Sequence, residues 1–212
     1  MKLTKTIFWN VDTQYDFMRN DKSFHGKLAI PGARSIEANL EKLTKYARLR
    51  DILIVNTADW HTPDSKELSS TPDYKTTFPP HCLQGTLGAA FIPATSPDAA
   101  YAISWQDQTL DEKALAFQKE IIIYKDQFCV FAGNPHTEKV LDILKPDRVF
   151  VYGVATNVCV NYAVLGLVRR NIEVIVIKDA IKELPNLPLD TIMEKWEEHG
   201  IRFTTTEEII RM

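Results

Sequence analysis

Three side chains of different chemistry stand at the ends of apolar runs in this 212-residue chain: Asp12 after TIFWNV (6–11), Lys125 after IIIY (121–124), and Cys159 in GVATNVCV (153–160). A thiol, a carboxylate and an ammonium supply the nucleophile, base and electrostatic partner that covalent attack on an acyl carbon requires. Thr156 or Asn157 is a suitable N-cap, which would place Cys159 in the first turn of a helix. Unpaired backbone N–H groups and the positive end of the helix dipole favour a thiolate there, and the same groups can cradle an oxyanion. Cys82 and Cys129 have no comparable setting, and three cysteines without CxxC spacing indicate neither a disulfide framework nor a zinc ribbon.

A second constellation follows the run DILIVNTA (51–58). It begins with DWH (59–61), continues to Glu67 and reaches His81 in PPH (79–81). Asp59 and His61 are two apart, so in extended chain both can point the same way, and carboxylate with imidazole suits Zn, Fe or Mn. Asp59, His61, Glu67 and His81 are therefore candidate ligands for one divalent metal ion, the competing reading being a polar lid with surface histidines.

The elements that must position these groups are legible as alternating runs. Six strand-like segments, 6–11, 51–58, 121–124, 148–154, 172–177 and 201–205, alternate with amphipathic segments at helical spacing: one carrying Ile36, Leu40, Leu43 and Ala47, then 136–145, 157–170 and 189–199. Near-continuous apolar strands between such helices predict a doubly wound three-layer α/β/α domain with a six-stranded, mainly parallel sheet, one domain over 1–212. In such a sheet the ligand crevice lies beyond the carboxyl ends of the strands, which puts Asp12, Asp59, Lys125 and Cys159 at one edge. Residues 60–100, rich in proline and polar residues, form a long loop of the kind that carries function.

With 45% hydrophobic and 25% charged residues the composition is that of a globular protein, and a formal charge of −3 without single-sign runs excludes a nucleic-acid footprint or a polybasic membrane anchor. The partner is expected to be a small molecule. The first apolar run meets Asp12 too soon for a signal peptide, and no segment has the apolar length of a membrane span, so the chain reads as cytoplasmic.

Read together, VDTQYDF (11–17), TADWH (57–61), STPDYKTTFPPHCLQGT (70–86), YK (124–125), GVATNVCV (153–160) and KDA (178–180) resemble the isochorismatase-like hydrolase superfamily, and within it the nicotinamidases. The resemblance spans nearly the whole chain. It implies an amidohydrolase acting on a small amide, nicotinamide to nicotinate and ammonia, in NAD salvage, with Cys159 as nucleophile, Asp12 as the base that passes its proton to ammonia, and Lys125 orienting the pair. It further implies an oxyanion hole at the N–H groups of Ala155 and Cys159 with a cis Val154–Ala155 bond, a metal held by Asp59, His61, His81 and Glu67, and Phe17 and Phe78 flanking the substrate ring. Gln14 would support the site from behind, and self-association into a homo-oligomer is implied as well. Thr156-Asn157-Val158 stands where nicotinamidases more often carry Thr-Asp-Tyr, and the stretch after Lys125 is shorter than theirs. Two other readings remain open: an amidase for a different small amide or ureido acid, and a non-catalytic α/β binding module.

Overall fold

A computed structural model of the chain describes residues 4–212; Met1, Lys2 and Leu3, where the segment read as too short for a signal peptide begins, lie outside the described residues. Its centre is a parallel sheet of seven strands: β1 (Thr6–Val11), β2 (Ile54–Asp59), β3 (Tyr101–Ile103), β4 (Glu120–Lys125), β5 (Arg148–Val154), β6 (Glu173–Lys182) and β7 (Arg202–Thr204), in the order β3-β4-β2-β1-β5-β6-β7. Six of these are the expected strands. The seventh, β3, corrects the expected count. It has three residues, pairs only with Ile121–Ile123 of β4, and exposes Ala102, so it carries no alternation a sequence reading could detect.

Helices cover both faces, as continuous apolar strands require; every residue of β2 is buried, and all of β1 beyond Thr6. The helix Glu37–Leu49 shows why. Leu40, Leu43 and Ala47 recur at helical spacing and are fully buried, each leucine contributing about 1.5–3 kcal/mol by leaving water, while Ile36 closes a 3-10 turn just before it. The expected helices at 136–145 and 189–199 are found as Thr137–Leu144 and Asp190–Glu198. Trp196, fully buried, ties the latter to Asn161 through its indole N–H (2.8 Å). Among the described residues no helix is long and apolar enough to cross a membrane.

The chain winds outward from β1 in one direction through β2 and in the other through β5, so the switch point lies between β1 and β5. Closing it tightly depends on Gly153, which pairs with Val11 at φ +118°, a backbone region that other residues rarely adopt. A Cβ there would meet the Val11 carbonyl oxygen at 2.1 Å. Gly153→Ala is therefore expected to lower stability by about 2–5 kcal/mol, read as a drop in the urea midpoint; an unchanged midpoint would contradict this packing.

Candidate active site

The four neighbouring strands β4, β2, β1 and β5 each lead to one group of the same cluster. The register pairs Asp59 of β2 with Lys125 of β4, and Asp12 follows directly on β1 in a left-handed conformation (φ +49°) that turns it into the crevice. Lys125 is fully buried, and its Nζ donates to Asp59 Oδ1, pairs with Asp12 Oδ2 at 2.9 Å, and stands 3.8 Å from Cys159 Sγ. The Asp12 and Asp59 carboxylates and Cys159 Sγ lie within 4.8 Å of one another. A cation between two anions is what makes so many buried charges tolerable in one place.

Electrostatics separates the roles. Burial pushes the Asp12 carboxyl up, and the Asp59 charge adds to this, while Lys125 and the Thr57 hydroxyl (2.6 Å to Asp12 Oδ1) oppose it; the result is raised above the ordinary value. Burial pushes Asp59 the same way, but Lys125 with His61 and His81 outweighs it and holds Asp59 well below the carboxylate range. Lys125, despite burial, is held charged by Asp12, Asp59 and Cys159. Burial pushes the Cys159 thiol up, the nearby carboxylates reinforcing and Lys125 opposing. Burial therefore opposes the thiolate expected from a helix start, and the Asp12 carboxylate stands near enough to take the thiol proton.

Cys159 sits in a wide, π-helical turn, Thr156–Val160, that precedes the helix Asn161–Val168, so the continuous helix expected over 157–170 is divided. Neither Thr156 nor Asn157 is its cap, which corrects the expectation. Ala155 holds that position in extended backbone, its carbonyl accepting from the N–H groups of Val158 (3.0 Å) and Val160 (3.1 Å). The Asn157 carboxamide is used elsewhere, bonding three backbone groups of the segment 184–187 that would otherwise go unpaired. The Val154–Ala155 peptide bond is cis, as the resemblance implied.

A metal-shaped cluster adjoins this group. Nε2 of His81 and of His61 lie 3.5 and 3.7 Å from Asp59 Oδ2, and the three ligand atoms gather within 4.8 Å. Donors each about 2.1 Å from a shared ion stand about 3.0–3.4 Å apart, so this spacing is close to that of a first coordination sphere. The Pro79 carbonyl can only accept, so at 2.7 Å it takes the Nδ1 proton of His81 and leaves Nε2 as the ring atom turned to Asp59 and available to an ion. Both ring nitrogens of His61 are buried without a hydrogen-bond partner, and a bound cation would satisfy the one turned to Asp59. The residues present fit a divalent ion. Gln14 clamps the set from behind: its Nε2 donates to the Asp59 carbonyl (2.7 Å) and the Ala89 carbonyl (2.8 Å), and its Oε1 accepts from Asp59 N–H (2.8 Å).

Glu67 stands outside that gathering of three. Its Oε1 accepts from Phe128 N–H (3.0 Å), its Oε2 is buried without a partner, and burial pushes its carboxyl up to about 8 against the opposing Phe128 N–H and Lys125. Phe17 and Phe78 both border a small cavity of about 20 Å³ together with Asp59, His81, Ala155 and Cys159. Phe17 also meets the His81 ring edge-on, with centroids 5.3 Å apart. The cavity has further walls that sequence reasoning missed: Leu28, Ile30, Phe128, Val158 and Leu184. They come from loops and from the nucleophile turn, with no spacing that signals them. Thr57 was missed too, although a hydroxyl in an apolar strand two residues before Asp59 was a signal.

The isochorismatase domain pattern matches residues 6–208. The nicotinamidase/pyrazinamidase of Mycobacterium tuberculosis is 29% identical over 177 residues, covering 80% of this chain and 82% of that protein. Among solved structures, the pyrazinamidase of Pyrococcus horikoshii in complex with zinc superposes with a TM-score of 0.73 at 24% identity, covering 95% of this chain and 99% of that one. The N-carbamoylsarcosine amidase of Thermoplasma acidophilum does so with a TM-score of 0.71 at 20% identity, covering 95% and 96%. At these identities the two structures speak to the fold.

Proposed function

We propose that this chain, which belongs to the isochorismatase family, is an amidohydrolase that converts nicotinamide and water to nicotinate and ammonia. The observation that carries the reading is the convergence of Cys159, Asp12 and Lys125, with Asp59 and His81 beside them, at a small cavity walled mainly by aromatic and aliphatic side chains. The 29% identity to a protein named for both nicotinamide and pyrazinamide supports a heteroaromatic amide.

Asp12 Oδ2 accepts the thiol proton as Sγ attacks the amide carbon, and Lys125 balances the charge that passes between carboxylate and sulfur. The backbone N–H groups of Ala155 and Cys159 hold the oxyanion. Collapse of this tetrahedral species breaks the C–N bond, and the proton on Asp12 leaves with ammonia. Water then attacks the thioester, Asp12 taking one of its protons, and nicotinate departs as the thiol re-forms. Phe17 and Phe78 flank the ring. Asp59, His61 and His81 would hold a divalent ion, Zn, Fe or Mn, without the Glu67 that the resemblance implied; such an ion would supply a Lewis acid for the pyridine nitrogen.

Ammonia release from nicotinamide by the metal-loaded protein tests the substrate; release from ureido acids without release from nicotinamide would reassign it. For the metal, one ion per chain is expected in the wild type, lost in His61→Ala and His81→Ala by elemental analysis; equal metal content in all three would remove the site. For the base, Thr57→Val removes a charge-assisted bond of about 1.5–3 kcal/mol and should slow turnover about 10- to 100-fold, while Thr57→Ser restores it. A Thr57→Ser variant as slow as Thr57→Val would show that the hydroxyl does not hold Asp12.

A further inference from the structure

Next to the cavity at Cys159 lies a larger one of about 380 Å³. The two share Leu28, Phe78 and Leu184, and neither Cys159, Asp59 nor His81 borders the outer one. These three side chains therefore form a partition on the side of the inner cavity away from the reacting groups. At about 20 Å³ the inner cavity has room for about one water molecule, so a ring with its amide enters it only by pressing on Leu28, Phe78 and Leu184. Anything larger has to pass the partition.

The outer cavity is built to receive an apolar group. Pro31, Pro185 and Leu187 line it, and at its rim Tyr74, 56% exposed, sets its ring edge-on to Phe78 with centroids 6.1 Å apart. Tyr74 is held at φ +55° in a turn that the Asp73 carboxylate ties by accepting from the N–H groups of Lys75, Thr76 and Thr77. An exposed aromatic presented in this way is a stacking surface.

Leu184 is held in the partition from the nucleophile turn itself. Asn157, two residues before Cys159, donates to the carbonyls of Leu184 (2.8 Å) and Leu187 (3.3 Å) and accepts from Leu184 N–H (2.9 Å). An ionised carboxylate at this position could not make the two donations. The residue that distinguishes this chain's nucleophile motif is thus the one that sets the partition.

We propose that the outer cavity is a substrate subsite, and that Leu184, positioned by Asn157, determines how large an amide the enzyme accepts. The class it fits is a heteroaromatic carboxamide bearing an apolar, preferably aromatic, group on the ring edge remote from the amide. The proposal rests on the amidohydrolase reading above.

The test compares kcat/KM for nicotinamide and for nicotinamide carrying a phenyl group on the free ring carbon meta to the carboxamide. The ratio of substituted to parent substrate is expected to rise about tenfold or more in Leu184→Ala, chiefly through KM, and in the same direction in Asn157→Ala. Tyr74→Ala should lower that ratio. Leu184→Val, a milder truncation, guards against loss of folding and should move it by an intermediate amount. A ratio unmoved in both Leu184 variants, with nicotinamide still hydrolysed, overturns the subsite while leaving the amidohydrolase standing. Wild-type protein that hydrolyses neither amide overturns both.

Discussion

Replacing Cys159 with alanine is expected to abolish ammonia release from nicotinamide, a fall of about four orders of magnitude or more. The proposed reaction has no second route. Its thioester needs Sγ, and the other two thiols cannot substitute: Cys82 is fully buried with its sulfur directed at the Gly88 carbonyl (3.8 Å), and Cys129 lines a different surface cavity beside Arg169 and Arg170. Alanine at 159 removes one sulfur from the wall of a cavity and breaks no backbone bond, so the variant should fold and still bind nicotinate. Cys129→Ala, the control, should retain activity. Residual turnover in Cys159→Ala at a tenth of the wild-type rate would mean that another group performs the attack.

Lys125→Met is expected to lose both activity and stability. The ammonium is the sole lysine or arginine cation paired with Asp12 and Asp59 among the described residues, and removing one member of a buried charge cluster costs about 3–5 kcal/mol because the rest are left uncompensated. Turnover should fall about 10²- to 10⁴-fold, since Asp12, already raised by burial, would bind its proton more tightly and cease to act as a base. The sign of the pH dependence follows. A carboxyl whose folded pKa exceeds its unfolded value weakens the fold progressively as pH rises from the unfolded value to the folded one, so the stability deficit of Lys125→Met should shrink as pH falls and Asp12 takes up its proton. Chemical unfolding across pH checks this; a deficit independent of pH would mean that methionine merely packs badly. Asp12→Asn in the same chain should recover part of the lost stability and none of the activity.

Why the site could be anticipated from residues alone is a matter of sheet geometry. All parallel strands end at one edge, so Asp12, Asp59 and Lys125, each closing an apolar run, had to meet, and the register that sets Asp59 beside Lys125 follows from pairing those runs. The same logic places Cys159 opposite them after β5. Features that depend on chain segments finding each other were not legible. Asn157 has the composition of an N-cap, and local reading assigns it one, but its carboxamide is claimed by a loop 27 and 30 residues away. β3 is too short to show a period and exists because Ile103 and Tyr101 complete the edge of β4. Leu28, Phe128 and Leu184 wall the cavity from loops whose conformation no spacing rule predicts. Glu67 lies in the expected loop, yet one of its oxygens is committed to the Phe128 N–H, a contact visible only once the loop is folded.

The central claim is that acyl transfer passes through the sulfur of Cys159, and partitioning with hydroxylamine tests it most directly. A thioester divides between water and the stronger nucleophile, so with rising hydroxylamine nicotinohydroxamate should replace nicotinate as the product while ammonia release continues. Ammonia release accompanied by nicotinate alone, at hydroxylamine concentrations that cleave model thioesters, would mean that water attacks the amide directly and would contradict the account.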